Sequence, residues 1–192
     1  EKHQYYYYQR GIALRKTGKE TDAIESFKAA VAIAPKFAPA YNALGSGYFK
    51  LKDYNQAITY YEKALVEKPN LGPAKKGLAA ANTALAAEKA KAGDLEGAIA
   101  SALKAVEADP KYATAYVVLA QSYNKASKYE QAIEAGNNAI KRMKTKKGAA
   151  YFEIGLAHRN LGDTNAAVKA FNQAKKDPTY ARSAKYELDQ LK

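Results

Sequence analysis

Few side chains in this sequence can do covalent or metal chemistry. There is no cysteine among the 192 residues, which excludes disulfides, thiolate nucleophiles and Cys-ligated zinc or iron–sulfur sites. The two histidines, His3 and His158, form no pair at helical metal-ligand spacing, and no Gly-rich phosphate loop is present. The carboxylates are scattered and stand near lysines, as Glu25 does with Lys28 and Glu62 with Lys63. Such pairs support helices weakly and do not form an acid–base couple. No catalytic residue, metal site or cofactor is expected, and the chain is read as a non-enzyme.

Cationic chemistry is more concentrated. The segment KRMKTKK holds Lys141, Arg142, Lys144, Lys146 and Lys147, five basic residues in seven. It forms a candidate anion patch for nucleic acid, an acidic protein or an anionic surface. The simpler reading is a solvated lysine loop whose charges favour the C-terminal end of a helix dipole. No aromatic residue interleaves the run, which weakens a stacking site for single strands. The chain carries 31 basic and 19 acidic side chains, a net charge of +12. Residues 113–147 alone supply +5.

Composition is that of a folded, soluble chain, with 47% hydrophobic and 26% charged residues. No apolar run approaches the roughly 20 residues of a membrane helix. The first residue is Glu1, so a fragment or processed form is expected; the compartment stays open between cytoplasmic and, if a signal peptide was removed, periplasmic.

The elements that must position any site repeat along the chain. From Tyr41 the sequence reads Tyr41, Leu44, Gly45, Tyr48, Ala57, Tyr61, Ala64 and Pro69. An earlier copy reads Tyr7, Gly11, Leu14, Ala23, Phe27, Ala30 and Pro35. Ala23 to Ala57, Pro35 to Pro69 and Ala98 to Ala132 are each 34 residues, and Ala132 to Ala167 is 35. Ala57 to Ala98 is 41, an excess of seven. Each copy reads as two amphipathic helices, with small residues where they approach; a proline follows the pair except in the fourth copy, which carries Lys144 instead. Seven residues are close to two helical turns, so the spacing predicts one elongated helix, from about Pro73 to Ala92.

Two copies depart from the pattern. Gly136 stands where Phe27, Tyr61 and Phe171 stand elsewhere, predicting a loosened or bent stack. His158 stands where tyrosine or leucine stands, predicting a packed core histidine. The four tyrosines Tyr5 to Tyr8 should place two rings inward and two elsewhere. The segment from residue 181 to 192 reads as a helix covering the last repeat, with Tyr180, Ala184, Leu188 and Leu191 on one side.

These residues resemble the tetratricopeptide repeat, a 34-residue helix–turn–helix. The resemblance runs from about Gln4 to Tyr180. It implies an all-α solenoid, a right-handed superhelix, with five repeats at about 4–37, 38–71, 72–112, 113–147 and 148–180, followed by the capping helix. The family implies a scaffold or adaptor for protein–protein interaction, with a peptide or domain held in a groove lined by the first helices. On this chain the implied groove residues are Tyr8, Arg15 and Lys16 from the first copy, and Asn42, Ser46, Phe49 and Lys50 from the second. Gln121 and Asn124 come from the fourth copy, and Phe152 and Arg159 from the fifth. The Lys and Arg heads favour an acidic or carboxylate-bearing protein partner. The Lys and Asn that grip chaperone tails in some relatives correspond here to Tyr8 and Ile12, so that clamp is absent. Two other readings stay open: self-association through the terminal repeats, and a basic-patch binder, with nucleic acid the disfavoured partner.

Overall fold

The computed structural model describes residues 3–191. Among them are eleven helices and no strand: α1 (His3–Lys16), α2 (Glu20–Ile33), α3 (Ala38–Lys50), α4 (Tyr54–Glu67), α5 (Gly72–Lys91), α6 (Leu95–Ala108), α7 (Ala113–Lys125), α8 (Tyr129–Arg142), α9 (Gly148–Asn160), α10 (Thr164–Ala174) and α11 (Ala181–Gln190). The chain forms two compact units, Glu1–Asn82 and Thr83–Lys192, and the division falls within α5. Helix α5 has 20 residues against 13 for α3, α7 and α9, and holds the excess over the 34-residue period. No described helix is long and apolar enough to cross a membrane.

The turns inside the helix pairs share one construction. A residue in the left-handed region ends each first helix: Gly18, Lys52, Gly93, Ser127 and Gly162. The next N–H then reaches back to the last turn, as from Asp53 to the Tyr48 carbonyl at 3.0 Å and from Lys128 to the Tyr123 carbonyl at 2.9 Å. Asp53, Asp94 and Asp163 also cap the following helix, accepting from the N–H of Gln56, Gly97 and Ala166.

The cores use matched sizes. In the first unit a β-carbon on Gly45 would fall within 2.8 Å of the Tyr61 ring. In the second unit a β-carbon on Gly155 would meet the Phe171 ring just as closely. Where the ring is missing, the facing position is larger: Ala86 and Ala102 pack in one buried cluster with Ile99 and Leu119. The space opposite Gly136 is taken by Ile154 of α9, whose Cγ1 lies 2.5 Å from where a Gly136 β-carbon would stand. Gly136 is buried and α8 is continuous through it, so a side chain of α9 occupies the space of the missing ring.

Tyr5 and Tyr6 are exposed, while Tyr7 and Tyr8 are half-buried. Helix α11 places Ala184, Leu188 and Leu191 with Tyr180 against Ala167 and Phe171; residue 192 lies outside the described residues. His158 is not a core residue. Its side chain is 23% exposed with Nδ1 3.7 Å from the Asp163 carboxylate, because it stands in the last turn of α9 beside the helix-capping aspartate.

Candidate partner-binding groove

In the first unit most groove candidates are already engaged within the chain. Glu20, at the start of α2, is 7% exposed and accepts from Arg15 Nε at 3.2 Å and from Lys50 Nζ at 3.0 Å. Arg15 Nη2 also donates to the Ala43 carbonyl at 2.6 Å, and the guanidinium stands 4.8 Å from the centre of the Phe27 ring. Two cations on α1 and α3 thus neutralise one buried carboxylate and tie α1, α2 and α3 together. Tyr8 packs on Phe27 and Phe37 at 5.7 and 5.2 Å, and Phe49 on Tyr54 at 5.5 Å. Burial pushes the Tyr61 phenol above its ordinary value, opposed by a hydrogen bond with Ser46. Lys16 is exposed, and Asn42 Oδ1 is buried without a hydrogen-bond partner.

In the second unit α7 and α9 frame an open cleft of about 410 Å³. Gln121, Asn124 and Lys125 line it from α7, and Glu153, Leu156, Arg159 and Asn160 from α9. Helical spacing of three and four residues brings each set onto one face. Glu153 is 7% exposed. Asn124 Nδ2 donates to its carboxylate and to its main-chain carbonyl, both at 2.9 Å. Burial pushes the Glu153 carboxyl above the usual carboxylate range, opposed by hydrogen bonds from Asn124 and Gln121 and by the charge of Lys125. The same carboxylate raises the Tyr180 phenol, whose larger cause is its own burial. Both Asn124 amide hydrogens serve acceptors, which orients the side chain and leaves Oδ1 buried without a partner. Arg159 is paired with Glu187 of α11. Phe152 is absent from the cleft lining and packs on Phe171 and Tyr180, each at 5.6 Å.

The basic run divides. Arg142 donates to the carbonyls of Pro110 and Asn138 and to Asn138 Oδ1, and its guanidinium lies 4.1 Å from the centre of the Tyr116 ring. It is a packing residue. Lys141 and Lys144 are exposed. Lys146 and Lys147 line a second cleft, of about 550 Å³, with Tyr151, Lys176 and Asp177. Among the described residues no group of three or more His, Asp or Glu is placed to hold a metal ion.

Three carboxylates organise these sites, and sequence reasoning passed over all of them: Glu20, Glu153 and Glu187. A signal was available. Glu20 takes the position that holds Tyr54, Leu95 and Tyr129 in other repeats, and Glu153 the position of Ala43 and Val118. These columns hold no other charge, only Thr164 in the first and Gln9 in the second being polar beside the tyrosines, and a carboxylate buried there needs a partner.

Comparison with known proteins agrees with this architecture. Residues 4–37 and 38–71 each match a family profile described as Tetratricopeptide repeat. Residues 79–191, more than half of the chain, match the profile described as TT21 fifth ARM repeats domain. Small glutamine-rich tetratricopeptide repeat-containing protein 2 of Mycosarcoma maydis is 36% identical over 80 residues, 42% of this chain and 23% of that protein. The probable UDP-N-acetylglucosamine–peptide N-acetylglucosaminyltransferase SPINDLY of Hordeum vulgare is 36% identical over 59 residues, 31% of this chain and 6% of that protein. The matches thus span less than a quarter of either relative. A crystal structure of MamA protein superposes with a TM-score of 0.71 at 28% identity, covering 97% of each chain. YrrB, described as a TPR protein with an unusual peptide-binding site, superposes at 0.67 with 16% identity over 94% of this chain and 89% of that one, a likeness of fold alone. The fold is a TPR α-solenoid, and the chain belongs to the tetratricopeptide repeat family, with residues 79–191 falling in the helical-repeat family described as TT21 fifth ARM repeats domain.

Proposed function

We propose that the chain is a non-catalytic adaptor, a tetratricopeptide scaffold for protein–protein interaction that holds an extended segment of a partner protein along its first helices. The α7–α9 cleft carries this reading. It offers an apolar wall at Leu156, amides at Gln121 and Asn160, and a buried carboxylate, in a volume that fits one or two side chains. The candidates Arg15, Lys50 and Arg159 are paired within the chain, so in the second unit the recognition surface narrows to Gln121, Lys125, Leu156 and Asn160. The net charge of +12 favours a partner that is acidic overall, drawn in at long range. The test is capture of partners by the full chain from its native source, with mass spectrometry, comparing wild type with Leu156→Ala and Asn160→Asp. Loss of a specific partner in folded variants is expected. Capture indifferent to both substitutions removes the cleft from the function.

A second reading, self-association through the terminal repeats, is supported by Tyr5 and Tyr6, which are 54% and 63% exposed on α1. Light scattering of wild type and a Tyr5→Ser, Tyr6→Ser variant tests it; a concentration-independent monomer in both rejects it.

A further inference from the structure

Residues 15, 124 and 159 occupy one position in their repeats, each eight residues before the buried alanine Ala23, Ala132 or Ala167. Each side chain reaches to a single position on a following helix. Arg15 donates to the Ala43 carbonyl, Asn124 to the carbonyl and carboxylate of Glu153, and Arg159 to the carboxylate of Glu187. Two of the three straps are guanidinium groups. Where the receiving residue is Glu187, the strap is Arg159, and charge meets charge. Where it is Glu153, the strap is Asn124, which is neutral and shorter. Glu153 therefore stands where Glu187 stands in the following repeat, but its direct partners are amides; the charge of Lys125 only opposes the effect of its burial, and the cleft of about 410 Å³ opens beside it. Lys125, the cation nearest in the sequence of that face, is exposed, and Arg159 is held by Glu187.

We propose that the α7–α9 cleft is a receptor for one arginine side chain of a partner peptide, its guanidinium pairing with Glu153 and its methylenes lying along Leu156. The proposal rests on the groove reading above and names the chemistry of its anchor. Arginine fits better than lysine, since its planar fork makes two parallel bonds to a carboxylate and sheds water more readily than an ammonium. The ligand would supply in trans what Arg159 supplies to Glu187 in cis. Overall acidity of the partner and a single arginine in the cleft are compatible, because the first acts through the long-range field and the second at contact distance.

The probe is Nα-acetyl-L-arginine amide, titrated into the full chain and followed by NMR on the side-chain amides of Gln121 and Asn124. Nα-acetyl-citrulline amide is the neutral isostere and Nα-acetyl-glutamate amide the acidic control. Saturable shifts are expected with the arginine probe, at least ten-fold weaker binding with citrulline, and no saturation with glutamate. Glu153→Gln should abolish the response. Asn124→Arg, which restores the arginine found at positions 15 and 159, should abolish it too while raising the melting temperature. Equal response to citrulline, saturation by the acidic control alone, no saturation with arginine, or binding that survives in Asn124→Arg overturns the receptor; the last result decides alone should Glu153→Gln not fold. A partner captured equally by wild type and Glu153→Gln, yet lost in Leu156→Ala, overturns the arginine receptor and leaves the groove standing.

Discussion

The side-chain amide of Asn124 donates at 2.9 Å both to the main-chain carbonyl and to the carboxylate of Glu153, so a neutral group on α7 carries a carboxylate that is 7% exposed. Burial holds the Glu153 carboxyl above the usual range. A carboxyl raised in the folded state favours that state while protonated. Its contribution to stability is therefore greatest below the ordinary carboxylate range and declines as pH rises through the raised value. Lys125 and Tyr180 interact with it electrostatically and Arg159 lines the same cleft, and a Glu153→Gln substitution leaves all three in place. The variant should melt above wild type at pH 8, and the gap should shrink toward pH 4. A gap that does not depend on pH contradicts this account.

Glu20 gives the opposite case, a buried carboxylate with two cations. Replacing it by alanine leaves Arg15 and Lys50 facing each other without their anion. Arg15 and Lys50 keep 29% and 59% of their side-chain surface, which softens the loss relative to a fully buried pair. We expect Glu20→Ala to destabilise by about 2 kcal/mol, in the range for hydrogen bonds to charged groups. Chemical denaturation measures it, and a cost within 0.5 kcal/mol, roughly what an ordinary surface substitution gives, would show that the cluster is only a surface ion pair.

The architecture was legible because three of the five repeats solve the same packing problem with the same residue types, as the pairs Gly11 with Phe27, Gly45 with Tyr61 and Gly155 with Phe171. Tyr41, Gly45, Ala57 and Tyr61 recur at fixed spacing since the glycine must accept the ring. The site was less legible. Arg15 and Phe49 were assigned to the groove from their column, but their partners, Glu20 and Tyr54, lie across a turn. Arg159 meets Glu187 from 28 residues away. Column position reports which face a side chain leaves from; it does not report which long side chain meets it there.

The glycine–ring relation predicts an unusual helix substitution. Gly155 lies inside α9, where alanine is favoured by about 1 kcal/mol on propensity. Its β-carbon would meet the fully buried Phe171 ring at about 2.6 Å. Overpacking costs about 1–3 kcal/mol, so Gly155→Ala should be net destabilising. A melting temperature lower by several degrees is expected. A rise would mean that the ring moves aside freely.

Ser127 presents the reverse situation. It holds φ of 56° in the turn between α7 and α8, the place taken by Gly18, Gly93 and Gly162 in other repeats. A side chain in the left-handed region costs roughly 1–2 kcal/mol, against about 0.5–1 kcal/mol for the greater freedom glycine brings to the unfolded chain. Ser127→Gly should stabilise by about 0.5–1 kcal/mol. No gain in urea midpoint would place the strain elsewhere in the turn.

The basic run offers a separation of roles that one column experiment can read. Arg142 is spent on Pro110, Asn138 and the Tyr116 ring, whereas Lys146 and Lys147 stand at an open cleft with Lys176. Arg142→Ala should therefore lower stability by about 1–2 kcal/mol through a lost cation–π contact and the lost hydrogen bonds to the Pro110 and Asn138 carbonyls. Its retention on a polyanion matrix should change little. Lys146→Glu with Lys147→Glu should leave the melting curve nearly unmoved, since Lys146 is exposed and Lys147, half-buried, stands at an open cleft, and such charges contribute little to stability. It should elute at markedly lower salt, because polyanion binding follows the number of ion pairs. If instead Arg142→Ala elutes early at unchanged stability, the five residues act as one patch, and the division drawn from their contacts fails.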